Sequence, residues 1–297
     1  MSRNSMLASV VDDDELTSEW HRLVGAEQAV LDLRLSGAGV EGHSTRADTF
    51  AAFVSSISRT VQRAAREQTG RKRYPRDLLI EGASPGSVRL VLRAPTPRIP
   101  PHQVVDDLTA ASTVDSDALR LIATIIAHAD DVSEDSVLAA AVQALPPMAR
   151  VPLRKAMDRV QKAGWEIGGS ISQRGFGYNR LKLTSRGAVR LRAELEARFD
   201  RKYTEEVFGT VAGSKDIEGV LWFDPEGGTQ FRARVDDAQL RRQVVRYQLD
   251  HPRVLAKFDV VESHISGVED VSTRTARTLR AITLAPLGEQ TTIDGDD

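Results

Sequence analysis

The hydrophobic period of this chain changes several times along its length, and the order of those changes limits the folds open to it. Ala29–Leu35 (AVLDLRL) alternates apolar and polar residues, as a half-buried strand does. The glycine-rich run SGAGVEGHS then breaks the pattern. From about residue 45 to residue 68 the period becomes helical, with Phe50, Phe53, Val54, Ile57, Val61 and Ala64 on one stripe. A basic loop, GRKRYPR, follows. DLLIEG (Asp77–Gly82) and SVRLVLRA (Ser87–Ala94) read as strands joined by ASPG. Pro95, Pro97, Pro100 and Pro101 end this unit. Residues 23–100 are therefore expected to form a small α/β domain.

Residues 101–203 read as mainly helical, with helices near 103–112, 116–129, 134–145, 149–163 and 185–199 and a hairpin before the last. Asp115 and Ser133 are expected N-caps, and Gly164 stops the fourth helix. Residues 204–285 return to short strands: EEVFGTVAG, IEGVLWFD, TQFRARV, RVLAKFDVVESHI and TARTLRAITL. DPEGG marks a hairpin turn, and DAQLRRQVVRYQL a short helix between the third and fourth strands. This predicts a β-rich, barrel-like domain. Residues 1–22, with their acidic run from Asp12 to Glu15, and residues 286–297 are expected to be flexible tails. The expected fold class is α+β.

The chemistry is limited by what the chain lacks. It has no cysteine, which excludes disulfides, thiolate metal sites and thiol catalysis. Its 297 residues contain no apolar run near the roughly 20 residues that span a bilayer. The N-terminus has no basic start followed by a long apolar stretch, so no membrane association and a cytoplasmic location are expected. The six histidines are scattered, with no pair at helical spacing, and predict no metal site. Acidic doublets at Asp106–Asp107, Asp130–Asp131 and Asp236–Asp237 read as caps and solvated faces. Gly37, Gly39 and Gly42 match the spacing of a dinucleotide-binding loop. The βαβ context with an acidic ribose ligand is missing. GASPGS lacks the Lys-Ser/Thr pair of a phosphate loop. No cofactor and no catalytic constellation are expected.

The central segment carries a resemblance. ALRLIATIIAH (Ala118–His128), DSVLAAAVQAL (Asp135–Leu145), the turn PPMAR and VPLRKAMDRVQKAG (Val151–Gly164) give three helices. WEIGGSIS and NRLKLT then flank the tip QRGFGY (Gln173–Tyr178), and LTSRGAVRLRAEL opens a last helix. Residues 116–199 thus resemble a winged helix-turn-helix domain. That resemblance makes the third helix the recognition helix and the hairpin a wing. The chain departs from the pattern at Pro146 and Pro147, and at Gly168 and Gly169 in the first wing strand.

Charge points the same way. Residues 149–202 hold fourteen basic and five acidic side chains, a net of +9, leaving −11 for the rest of a chain whose net charge is −2. Segregated positive charge is what phosphate binding requires. The resemblance and the charge together predict a protein that binds double-stranded DNA, of the bacterial regulator type. Arg154, Lys155 and Arg159 are the groove candidates, and Lys162, Arg174, Arg180, Lys182 and Arg186 the phosphate candidates. Arginine outnumbers lysine 33 to 7, the bias of a GC-rich bacterial genome, which weakens any single arginine as a signal. The main alternative is a non-enzymatic interaction or scaffold protein of a bacterial defence or stress system. Its +9 surface would meet an acidic partner or a second copy of the chain. An enzyme with a site built across the N-terminal unit is the other alternative.

Overall fold

The computed structural model describes residues 14–42, 44–75, 77–81, 88–97, 112–133, 137–196, 198–264 and 273–285. It is a mixed α+β protein with one antiparallel sheet, a helical layer and a closed five-stranded barrel. The chain begins with helix α1 (Asp14–Val24), strand β1 (Val30–Gly37) and helix α2 (Ala47–Thr69). Strands β2 (Leu79–Glu81) and β3 (Val88–Arg93) follow. Three helices come next: α3 (Val114–Ala127), α4 (Val137–Ala144) and α5 (Pro147–Ala163). A hairpin of β4 (Trp165–Gln173) and β5 (Gly177–Leu183) leads to α6 (Ser185–Glu196). The barrel comprises β6 (Arg198–Lys215), β7 (Val220–Pro225), β8 (Phe231–Arg234), β9 (Val254–His264) and β10 (Thr273–Leu284), with α7 (Ala238–Asp250) between β8 and β9.

The elements fall close to where periodicity puts them, but their assembly differs. The strand order of the sheet is β2-β3-β1-β4-β5, so the central hairpin pairs along the whole of β1, from Val30 opposite Ser172 to Gly37 opposite Trp165. The segments 23–100 and 101–203, which read as separate units, share one sheet and one core. Leu31, Leu33, Leu90, Leu92, Ile167, Ile171, Leu181 and Leu183 point inward, where they meet the buried faces of α2, α3 and α5. The two glycines that weaken a free wing strand have a reason here. A Cβ on Gly169, at φ +150°, would lie 2.0 Å from the Asp32 carbonyl oxygen of β1. Gly169 is what lets β1 approach β4.

Several local expectations change. Residues 14–24, read as tail, form helix α1, which lies against the hairpin. The α3 N-cap is Thr113, whose hydroxyl accepts from the Ser116 N–H, and not Asp115. Asp115 accepts a hydrogen bond from the Tyr74 hydroxyl at 2.7 Å. Pro147 takes the first turn of α5, where its missing N–H costs nothing. The expected helix near 103–112 lies outside the described residues except at Ser112. The GASPGS turn, the start of the helix expected at 134, and the tails 1–13 and 286–297 lie outside them entirely.

The barrel is closed in the order β10-β8-β7-β6-β9, with β8 and β10 parallel and the other pairs antiparallel. Phe223, Phe231 and Phe258 pack edge-on or tilted at 5.3–5.6 Å in its core. The closed barrel agrees with the expected barrel-like strands, and its first strand starts at Arg198, ahead of the expected 204.

Two glycines of the G-x-G-x-x-G spacing, Gly37 and Gly39, are explained by close packing, and Gly42 by its positive φ of 60° in open space. A Cβ on Gly39 would sit 1.9 Å from the Ala163 carbonyl oxygen and 2.9 Å from Trp165 Nε1. Trp165 is fully buried, and its indole N–H donates to Gly39 O and Thr45 Oγ1 at 3.3 and 3.2 Å. Gly39→Ala is expected to destabilise the protein by roughly 2–3 kcal/mol, through overpacking and displacement of this tryptophan. Chemical denaturation checks the value; a change below about 0.5 kcal/mol would contradict the close packing.

Candidate nucleic-acid interface

Helices α2 and α5 lie side by side on the inner face of the sheet and run antiparallel. Arg63 Nη1 of α2 donates to the Met148 carbonyl at the start of α5, at 2.7 Å, while Thr45, just before α2, binds Trp165, just after α5. The first of these bonds follows from the sequence. Pro152 has no N–H to give the carbonyl four residues earlier, so Met148 O is left for Arg63.

Each helix buries one stripe and leaves another in water. On α5 the buried stripe is Ala149, Pro152, Leu153, Ala156, Met157 and Val160. Lys155, Arg159 and Lys162 stand exposed at i, i+4 and i+7. On α2 the same spacing recurs at Arg59, Arg63 and Arg66; Arg59 and Arg66 are exposed and Arg63 is half-buried against α5. Because the helices are antiparallel and Arg63 meets Met148, the two triads follow one another end to end along the helix pair. The order is Lys162, Arg159, Lys155, Arg59, Arg63, Arg66. At 1.5 Å per residue the row spans about 25 Å. Among the described residues none of the six is ion-paired with a carboxylate. Exposed Arg71, Lys72 and Arg73 continue the positive charge beyond the end of α2, in the loop anchored through Tyr74.

The residues predicted to bind DNA do not share one face. Lys155, Arg159 and Lys162 lie together on the ridge. Arg154 is turned towards α6, where Glu196 holds it at 3.0 Å, beside the Arg192–Asp158 pair. Arg180 and Lys182 stand on the opposite face of the sheet, alternating with the inward Leu181 and Leu183. There Lys182 is in register with Arg34 across Gly168. Arg186 is exposed on the first turn of α6. Arg174 lies at the hairpin tip, 3.8 Å from Glu27, and donates to the Gly25 carbonyl.

That tip is not a free wing. The Arg174 and Gly175 amides donate to Ala26 O and Arg22 O, and the Tyr178 amide to Ser18 Oγ. Tyr178 stacks on His21 with ring centroids 5.2 Å apart. Phe176 carries Arg120 at 3.7 Å over its ring. The α2 half of the ridge, which the charge count over 149–202 missed, was legible in the i, i+4, i+7 spacing of Arg59, Arg63 and Arg66.

Strands β7 and β8 pair antiparallel and share an outward face of the barrel. In this chain that face is largely covered. Arg232 of β8 pairs with Asp131 at 2.7 Å and donates to Ser133, beyond the end of α3. Val220 and Arg234 on the same face are buried. Compared with known protein families, curated proteins and solved structures, the chain matches none.

The junction between helices and barrel is polar. His128 Nε2 lies 2.8 Å from buried Glu218, and Nδ1 lies 3.8 Å from Asp131. Burial pulls the imidazole pKa down, but hydrogen bonds to Asp131 and Glu218 outweigh it and raise it to about 8. Burial would raise the Asp131 carboxyl, but hydrogen bonds from His128, Ser133 and Arg232 hold it well below the usual range. A His pKa raised above its ordinary 6.5 stabilises the fold fully below pH 6.5, and that contribution fades as pH rises through 8. Unfolding free energy is expected to fall by about 2 kcal/mol between pH 6.5 and 9. His128→Gln should abolish most of that slope in pH-dependent urea unfolding; an equal slope in both proteins would exclude His128 as its source.

Proposed function

We propose that this protein binds double-stranded DNA along the α2–α5 ridge, reading the phosphate backbone and not the bases. The observation that carries the reading is the run of six cations, none ion-paired with a carboxylate among the described residues, built from two triads laid end to end. Affinity for DNA comes largely from such neutralisation of phosphates, with release of condensed counterions. A row of about 25 Å matches roughly seven nucleotide steps of one strand at 3.4 Å each. The order helix, helix, helix, hairpin, helix in α3–α6 also supports a winged-helix-like arrangement, with α5 as the helix nearest the DNA. In this reading α2 replaces the wing as the second contact, since the hairpin tip is held by α1. The six side chains of the ridge are all lysine or arginine, suited to phosphate, so binding is expected to tolerate sequence. The barrel then serves as a docking module fixed to the helical layer.

Binding of the full chain to mixed-sequence duplexes between 50 and 200 mM salt tests this. Six phosphate contacts give a log–log slope near −5 and about a thousandfold loss over that range. Replacing either triad by alanine, Lys155/Arg159/Lys162 or Arg59/Arg63/Arg66, is expected to lower the slope by about 3. Replacing Arg34 and Arg242, exposed elsewhere, should leave it unchanged. A loss confined to Arg180→Ala with Lys182→Ala would instead move the contact to the hairpin face. Absence of binding at 50 mM would exclude the DNA reading and favour an acidic protein partner for the ridge.

A further inference from the structure

Between the helical layer and the barrel lies a cavity of about 370 Å³, independent of the α2–α5 ridge. Three arginines from three elements line it: Arg120 of α3, Arg234 of β8 and Arg241 of α7. Arg120 and Arg234 are 5 % and 9 % exposed. Four carboxylates share the lining: Glu67, which is exposed, and Asp117, Glu218 and Asp236. Asp117 takes Arg120, which also donates to Gln173 and Ser112. Asp236 takes Arg234 Nε at 2.5 Å, and its backbone carbonyl takes Arg241 Nη2. Arg234 Nη1 and Arg241 Nε are buried with no acceptor among the described residues. Glu218, on the same wall, is already held by His128 and Lys215. Asp216 lies close enough to act on Arg241 through its charge, and burial raises its pKa.

Unpaired buried guanidinium donors are costly, and three like charges around one space add repulsion. Burial together with its two arginine neighbours pulls Arg120 down to about 10, against the opposing pull of Asp117. The geometry points to an anion-binding site: we propose that this cavity takes a phosphate group, held by Arg234 and Arg241. A tetrahedral oxyanion suits this set because guanidinium forks present parallel donors to phosphate oxygens. The volume exceeds that of bare phosphate and falls at the low end of small-molecule sites, about 300–1,000 Å³. Its other wall is apolar, with Leu121, Ala144, Pro146 and Ile217, and so suits the organic part of a small phosphate ester. Such a ligand would bridge α3, β8 and α7, and thereby fix the barrel against the helices.

The test is thermal unfolding of the full chain against increasing inorganic phosphate and, separately, adenosine monophosphate, at constant ionic strength. A saturable rise in melting temperature is expected, because a ligand that binds only the folded state stabilises it by mass action. Comparable midpoints for the two would mark free phosphate as the ligand; a midpoint at least tenfold lower for the ester would mark an organic phosphate. Arg241→Gln is expected to weaken either response at least tenfold. Its ligand-free melting temperature should be unchanged or higher, because one repelling charge is gone. Arg234→Gln provides the second variant, and slowed hydrogen exchange in α3, β8 and α7 on adding ligand provides a readout that needs no variant. Failure of both compounds to raise the melting temperature of the unaltered protein would overturn the proposal, whatever the stability of Arg241→Gln. The trio would then be a self-sufficient structural cluster. Loss of DNA binding with these responses intact would touch only the ridge.

Discussion

The antiparallel ladder between β1 and β4 decides how two-thirds of this chain is arranged. It joins residues near the N-terminus to a hairpin that the local sequence would leave free, and it makes one buried sheet face out of five short strands. The helices have no other common floor: α2, α3 and α5 meet because the same leucine and isoleucine side chains lie beneath all three. The ladder depends on close backbone approach. Where β4 passes Asp32, no side chain larger than hydrogen fits at residue 169. The antiparallel α2–α5 pair, and with it the end-to-end run of the six cations, is a product of this shared floor.

A second constraint acts across the junction with the barrel. That surface carries charged groups paired across it: His128 with Glu218 and Arg232 with Asp131. Breaking one partner of such a pair leaves the other charge buried, which is far more costly than losing a surface ion pair. The interface is therefore specific in orientation more than it is adhesive. Phe176 illustrates the economy of the arrangement. The tip aromatic of the hairpin supports Arg120 on its face, and Arg241 approaches the same ring at 5.6 Å, so the sheet, the helical layer and the barrel meet at one side chain.

Much of the element list was legible from periodicity. The alternation in AVLDLRL, the 3.6 period from Phe50 to Ala64 and the turn DPEGG all mark local structure, and local structure is what a period encodes. The pairing of β1 with β4 was not legible. A strand's alternation says which face is buried and nothing about which neighbour it takes. Helix α1 was missed because the acidic run from Asp12 to Glu15 dominates its sequence, while its ordering comes from Ser18 and His21 meeting the hairpin. For the ridge, half was read directly. Lys155, Arg159 and Lys162 lie on the helix that the winged-helix resemblance makes the recognition helix. Arg59, Arg63 and Arg66 have the same spacing but fall in a segment whose function was read as packing. Arg120, Arg234 and Arg241 come from three elements and converge only in three dimensions, so no spacing could reveal them.

The β1–β4 ladder also has a consequence for how the protein is made. Strand β1 leaves the ribosome about 130 residues before the strand that covers its second edge. At the usual elongation rates of about 5–20 residues per second, that interval is roughly 7–26 s. β3 emerges earlier and can pair with one edge, but the backbone N–H and C=O groups of the other edge of β1 must wait. An unpaired strand edge is the kind of surface on which nascent chains associate. The crowding that places glycine at residue 169 therefore shapes more than the finished sheet: it ties the safety of the growing chain to the arrival of a single late hairpin.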